Sequence, residues 1–175
     1  MPVMTWIAPE VERPDPVTVN DERAALQDWL RFHRETLVRK CAGLTAEQLC
    51  ERAVPPSTLS LLGLVRHMRE VERSWFLHGF ARLDRPPYYY SPDNRDGDFD
   101  DVDPAHAEDD YAAYLAECAE ADDAVAGRGL DETMTTRRGV ITDLRWIYLH
   151  MIEEYARHNG HADLLRESID GQTGE

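Results

Sequence analysis

Glu154 and His158 are a carboxylate and an imidazole four residues apart, and His67 is a second imidazole far upstream. Two histidines and one carboxylate can hold a divalent metal and leave positions open for water or substrate, the pattern of a catalytic rather than a structural site. The spacing supports this chemistry. Ile147, Met151, Glu154, His158, Ala162 and Leu165 follow steps of four, three, four, four and three, which trace one face of a 3.6-residue helix. Side chains at i and i+4 have Cβ atoms about 6 Å apart, within reach of one ion. A carboxylate and an imidazole on a face that should be buried are costly without a partner, and a metal is the economical compensation. The competing reading makes His67 a hydrogen-bonded core histidine and Glu154 a surface charge beside Glu153. His161, three residues beyond His158, is the rival third ligand or a substrate contact, and His150 lies about 100° around the helix from Met151. His33, His78 and His106 read as structural or exposed.

Four helical segments would have to position these groups. The first spans about Asp21 to Ala42, with Asn20 as its cap and Leu26, Leu30, His33, Leu37 and Cys41 on one face. Thr45-Ala46-Glu47-Gln48 has capping-box spacing and opens a short helix. The second long helix starts at Ser57 or Ser60 and runs to about Phe80, with His67 inside the stripe Leu64, Met68, Val71, Trp75. Asp103-Pro104 is a cap followed by a first-turn proline and opens a third helix to about Ala126, with Tyr111, Tyr114, Leu115, Cys118 and Val125 inward. The stretch from Glu132 to Ile141 is a connector, extended at Met134 to Thr136. The fourth helix ends near Glu167 and the tail from Ser168 to Glu175 is loose. The expectation is an all-α four-helix bundle forming a single domain over residues 1–175, with its core at about 21–167 and helices two and four adjacent.

Composition narrows the function classes. At 42% apolar and 30% charged the chain is globular. A net charge of −15, from 19 basic and 34 acidic residues, argues against nucleic-acid binding. No apolar run suits a membrane span, and Met1 to Pro16 has no secretory pattern, so the cytoplasm is expected. Cys41, Cys50 and Cys118 form no disulfide framework, and Cys41 and Cys118 read as buried reduced thiols. Of the 19 basic residues one is Lys40 and 18 are arginines, a bias expected of a GC-rich genome. The acidic loop Asp93-Asn94-Arg95-Asp96-Gly97-Asp98 fails the calcium-loop register, since Pro92 would occupy its first ligand position, and is expected to be solvated. Tyr88-Tyr89-Tyr90 reads equally as a lid over a pocket or as packing.

The phrases Leu61-Leu62-Gly63-Leu64-Val65-Arg66-His67 and Val71-Glu72-Arg73-Ser74-Trp75-Phe76 resemble the second-helix signature of the DinB-like metalloprotein superfamily. The run from Glu154 to Glu167 is similar to its fourth-helix signature. The resemblance covers about Asp21 to Glu167 and implies a DinB-like four-helix bundle holding a divalent metal on three residues. Glu154 stands where three-histidine members carry their second histidine. A His, Glu, His set is similar to that of the mycothiol-dependent maleylpyruvate isomerases and mycothiol S-transferases of actinobacteria, which implies zinc, with nickel, iron or manganese as alternatives. The isomerases carry a further C-terminal domain and this chain ends eight residues after Glu167, so transfer of a small thiol is the better expectation.

The resulting reading is a zinc-dependent thiol S-transferase. Metal coordination would deprotonate mycothiol or a similar thiol and present it as a thiolate to an electrophile. His67, Glu154 and His158 would hold the metal, and Arg69, Arg157 and His161 are candidates for binding the substrate. Two other readings stand beside it: a metal-binding stress protein without turnover, and a hydrolase whose metal activates water. A homodimer is left open.

Overall fold

The computed structural model describes residues 5–173. The readings of the N-terminal leader and the tail therefore lie partly outside the described residues, at 1–4 and 174–175. The chain is mostly helical. The first helix, α1 (Glu22–Cys41), begins where the Asp21 carboxylate accepts the Ala24 amide at 3.0 Å. Asn20, expected as the cap, instead accepts the Asp21 amide at 3.0 Å. It lies one residue too far out to reach the third helical amide, which an N-cap must satisfy. A single turn, α2 (Ala46–Leu49), is closed by the expected capping box. Thr45 Oγ1 accepts the Gln48 amide at 3.3 Å, and Gln48 Oε1 accepts the Thr45 amide at 3.0 Å.

Ser60 caps α3 (Leu61–Glu72), its hydroxyl oxygen accepting the Gly63 amide at 3.1 Å. The rod then continues as a π-helical segment, Arg73–Phe80, at whose end the Ala81 amide reaches back five residues to the Phe76 carbonyl at 2.8 Å. Such wide turns are rare and are found mostly at functional sites. The following loop carries one short turn, α4 (Gly97–Asp100), and ends at Asp103, which caps a 3-10 turn with Pro104 in its first position. Next comes α5 (Ala107–Val125). Its buried residues Tyr111, Tyr114, Cys118, Ala121 and Val125 step by three, four, three and four, which leaves Leu115 off the stripe and 45% exposed, contrary to expectation.

Two short antiparallel strands, β1 (Thr133–Thr135) and β2 (Ile141–Asp143), pair Thr133 with Asp143 and feed directly into α6 (Leu144–Asp170). The strand in the connector is thus shifted by one residue from the expected Met134 to Thr136. The last helix also outruns the expected end at Glu167. Buried Arg166 donates to the Lys40 and Ala42 carbonyls at 2.9 and 2.7 Å, and its Nε donates to Asp170 at 3.0 Å. This anchor keeps residues 168–170 helical until Gly171, at φ 78°, closes the helix.

The long rods pack side by side: α1 lies along α6, α3 along α5, and α3 also touches α6 and α1. Their shared core includes Leu30, Leu37, Leu64, Met68, Tyr114, Ile147, Met151 and Leu165. A buried polar knot joins all four. Arg34 of α1 grips Glu72 of α3 with two 2.7 Å hydrogen bonds, the Tyr155 hydroxyl of α6 donates to the same carboxylate at 2.7 Å, and Tyr114 of α5 lies 2.9 Å from the Tyr155 oxygen. Glu72 is wholly buried, so every charge in the knot depends on its partner. No helix of the described residues is long and apolar enough to cross a membrane.

Candidate metal centre

The packing of α3 against α6 sets the rings of His67 and His158 edge to face, with centroids 4.7 Å apart. His67, Glu154 and His158 each offer one ligand atom, and these atoms lie within 4.8 Å of one another. Glu154 Oε2 stands 3.5 Å from His158 Nε2, longer than a good hydrogen bond. Donors sharing a tetrahedral zinc at bonds of roughly 2 Å would sit about 3.4 Å apart. The three groups converge without satisfying one another.

Each is held in place by its surroundings. His67 Nδ1 donates to Asp98 Oδ2 at 2.8 Å, and its ring stacks on Phe99 with centroids 4.5 Å apart. The carboxylate fixes the tautomer and ring orientation, and leaves the Nε2 lone pair for a metal. Burial, and then the charges His67 and His161 would carry, push His158 down to about 4. The ring is therefore neutral near pH 7, with a lone pair to give.

Asp98 is the residue that sequence reasoning missed. The loop at 93–98 was expected to be solvated, but Gly97 and Asp98 are buried. Arg66 draws the loop in by donating to the Gly97 and Asp101 carbonyls, both at 2.8 Å. Nothing in spacing or residue type sets Asp98 apart from Asp93, Asp96, Asp100 or Asp101. The neighbouring Tyr88 to Tyr90 loop is packed down: the Tyr88 and Tyr89 amides both donate to Glu70 Oε1 at 2.6 Å, and the Tyr89 hydroxyl donates to Asp110 at 2.7 Å.

The residues expected to bind substrate are spread out. His161 Nδ1 lies 3.4 Å from His158 Nδ1, beside the donor set. Arg157 is an exposed side chain paired with Glu153 at 2.5 Å. Arg69 donates to Glu117 at 3.0 Å and to the Tyr89 hydroxyl at 2.8 Å, which commits it to holding the tyrosine loop.

A groove of about 1240 Å³ opens beyond Glu154, between the π-helical segment, the β-hairpin and the start of α6. Along α6 the side chains of Trp146, His150, Glu154 and His158 form a ladder in steps of four. Each step rises about 6 Å and swings about 40° around the helix, so the ladder screws from the groove into the interior. Trp146 is 46% exposed at one end, and the His158 side chain is 12% exposed at the other. His150 lies flat on Trp146 at 4.9 Å and edge-on to Trp75 at 4.6 Å. Its Nε2 is 3.5 Å from Glu154 Oε1. Glu154 thus turns one oxygen to His150 and the other to His158. His150, Glu153 and Glu154 also place ligand atoms within 4.8 Å, but Glu153 is an exposed residue already paired with Arg157.

The profile described as mycothiol-S-transferase matches residues 25–171. The chain belongs to the mycothiol-S-transferase family, within the DinB-like superfamily. No curated protein matches it in sequence. The stretch matched to the mycothiol-S-transferase family contains His67, Asp98, Glu154 and His158 together with every wall of the groove. The chain's own thiols stand apart from that site. Cys41 and Cys118 are buried, and burial pushes both up to about 12, while half-buried Cys50 is raised to about 11.

Proposed function

We propose that this protein is a metal-dependent thiol S-transferase built on a DinB-like four-helix bundle, and that it joins mycothiol or a similar small thiol to an electrophile lying in the groove. The observation that carries the reading is the convergence of His67, Glu154 and His158 from two helices, with Glu154 also lining the groove. The donor set suits a divalent cation. It combines two imidazoles with one carboxylate, all three partly open, none spent on a strong bond to another, and zinc accepts such nitrogen and oxygen ligands. A cation held there would supply Lewis acidity, lowering the pKa of a thiol that reaches it.

The rest is done by the chain. Asp98 keeps His67 in the tautomer that leaves Nε2 free. Burial keeps His158 unprotonated. The Glu154 carboxylate would cancel one unit of a cation's positive charge, where a third imidazole would cancel none, so the donor set would leave a thiol sulfur held less tightly and more nucleophilic. Transfer replaces the thiol S–H bond by an S–C bond. The proton leaves with the displaced group, or on the carbon that takes up the electron pair of a double bond.

The test combines metal content with turnover on protein purified without a histidine tag. One divalent ion per chain is expected, zinc foremost, together with mycothiol transfer that chelation abolishes and zinc restores. His158→Ala should lose both. Glu154→Gln should weaken metal retention by removing a charge interaction, and Glu154→His should retain metal but transfer thiol more slowly. Full metal content in both His67→Ala and His158→Ala would overturn the reading.

A further inference from the structure

The groove carries features that the metal site does not use. Arg82, Arg137 and Arg138 line it, and among the described residues none of the three has an ion-pair or hydrogen-bond partner. In a chain of net charge −15 with 34 acidic residues, carboxylates are plentiful enough to pair most arginines. Arg34, Arg66, Arg69, Arg73, Arg145 and Arg166 are all paired. Three unpaired guanidinium groups outnumber the two carboxylates, Asp143 and Glu154, on one concave surface, a balance that favours anions there.

Arg82 adds an independent sign. Among the described residues it is the one non-glycine with positive φ, at 59°, and it lies two residues past Phe80, the end of the π-helical segment. Glycine would adopt that backbone without penalty, whereas an L side chain there is strained. The strain is tolerated at a residue that lines the groove, as is common at ligand sites. Thr142 and His78 also line the groove, and their Oγ1 and Nδ1 atoms are buried with no hydrogen-bond partner. Thr142 is only 8% exposed, and its hydroxyl has no hydrogen-bond partner there. At the Glu154 end the wall is aromatic, with Trp75, Trp146 and His150 in mutual contact. A volume of about 1240 Å³ exceeds that of a pocket for one small ligand, leaving room for a thiol near Glu154 and a second molecule beyond it.

We infer that the groove selects an electrophile with a flat unsaturated or aromatic body and an oxyanion at its far end, the body lying against Trp75 and Trp146 and the oxyanion held by Arg82, Arg137 and Arg138. This deepens the proposed function, since it names the class of molecule that receives the thiol. Carboxylate, sulfonate and phosphate share the chemistry that guanidinium recognises.

The test is calorimetric titration of the whole metal-loaded protein, with no thiol present, using 3,5-dinitrobenzoate and 1,3-dinitrobenzene. The two share a ring and differ by one carboxylate. The benzoate should bind about tenfold more tightly, the gain expected of a charge-assisted contact. Arg137→Ser combined with Arg138→Ser should erase that preference. Arg82→Gly should reduce it while Tm holds or rises, an outcome that a merely structural role for Arg82 would not give. Trp146→Ala should weaken both ligands alike. Equal affinities in the unmodified protein, or a preference that survives the double change, overturn the inference. So does a preference lost in His158→Ala but kept in the arginine variants, which would place the carboxylate at the metal ligands. Turnover separates this inference from the proposed function. Binding as described without thiol transfer defeats the transferase reading alone. Transfer to 4-chloro-3,5-dinitrobenzoate and 1-chloro-2,4-dinitrobenzene that ignores the arginine changes defeats the inference alone.

Discussion

At the scale of single residues, the candidate site rests on a carboxylate outside the three converging donors. Asp98 holds His67 by one ring nitrogen at 2.8 Å, and a carboxylate behind a ligating histidine sets both its orientation and its basicity. Asp98→Asn preserves size but offers a neutral amide. Metal affinity should fall about 10–100-fold, measured by competition with a chromogenic chelator, while far-UV circular dichroism stays unchanged. Unaltered affinity would mean that Asp98 only fills space. The ligand candidates themselves were legible in the sequence, because Glu154 and His158 share a helical face and the helix repeat is a local property. Asp98 was not. Its contact with His67 closes a loop of 31 residues, and an acidic residue in an acidic loop carries no mark of which way it will turn. The same holds for Arg137 and Arg138, whose interest lies in the partners they lack.

At the scale of elements, the short turn α4 matters beyond its length because it delivers Asp98 and Phe99 to the top of α3. That approach depends on Gly97. A Cβ there would lie 2.4 Å from the Tyr89 carbonyl oxygen and 2.6 Å from Asn94 Nδ2, closer than atoms tolerate. Gly97→Ala should push the turn outward and lower metal affinity in the same direction as Asp98→Asn. Unlike that variant, it should also lower Tm and loosen the Tyr88 to Tyr90 loop to proteolysis. The helices were readable from apolar periodicity and caps, as Ser60, Thr45 and Asp103 show. The π-helical continuation of α3 was not, because its residues Arg73 to Phe80 keep ordinary helical patterning and only the hydrogen bonds widen. The end of α6 was misjudged for a similar reason. What holds residues 168–170 is Arg166 reaching carbonyls at the end of α1, a contact across 126 residues for Lys40.

At the scale of the whole molecule, the four rods meet at the Arg34–Glu72–Tyr155–Tyr114 knot. Removing one partner would strand the wholly buried Glu72 charge, so Arg34→Ala should cost about 3–5 kcal/mol, read as a lowered urea midpoint. Arg34→Ala together with Glu72→Ala should cost less than the sum of the two single changes, because the stranded charge is gone. Burial also silences the cysteines. Raised to about 11 for Cys50 and about 12 for the other two, they stay protonated through pH 8, where a pKa of about 11 leaves roughly one thiol in a thousand ionised. A disulfide reagent at pH 8 should count almost no fast thiols in the native protein and three after denaturation, so the chain's own sulfur would not compete with a small thiol for an electrophile. The aromatic wall of the groove has an optical consequence. Trp75 and Trp146, with ring centroids 5.3 Å apart, are two of the chain's four tryptophans, while Trp6 packs on Tyr111 and Trp29 on Phe32, away from the groove. Two of the four indoles therefore sit where a ligand would displace water, so the protein carries its own fluorescent label. A molecule entering the groove should shift or dim that emission without any dye, and Trp75→Phe with Trp146→Phe should leave a protein whose fluorescence is blind to what it binds.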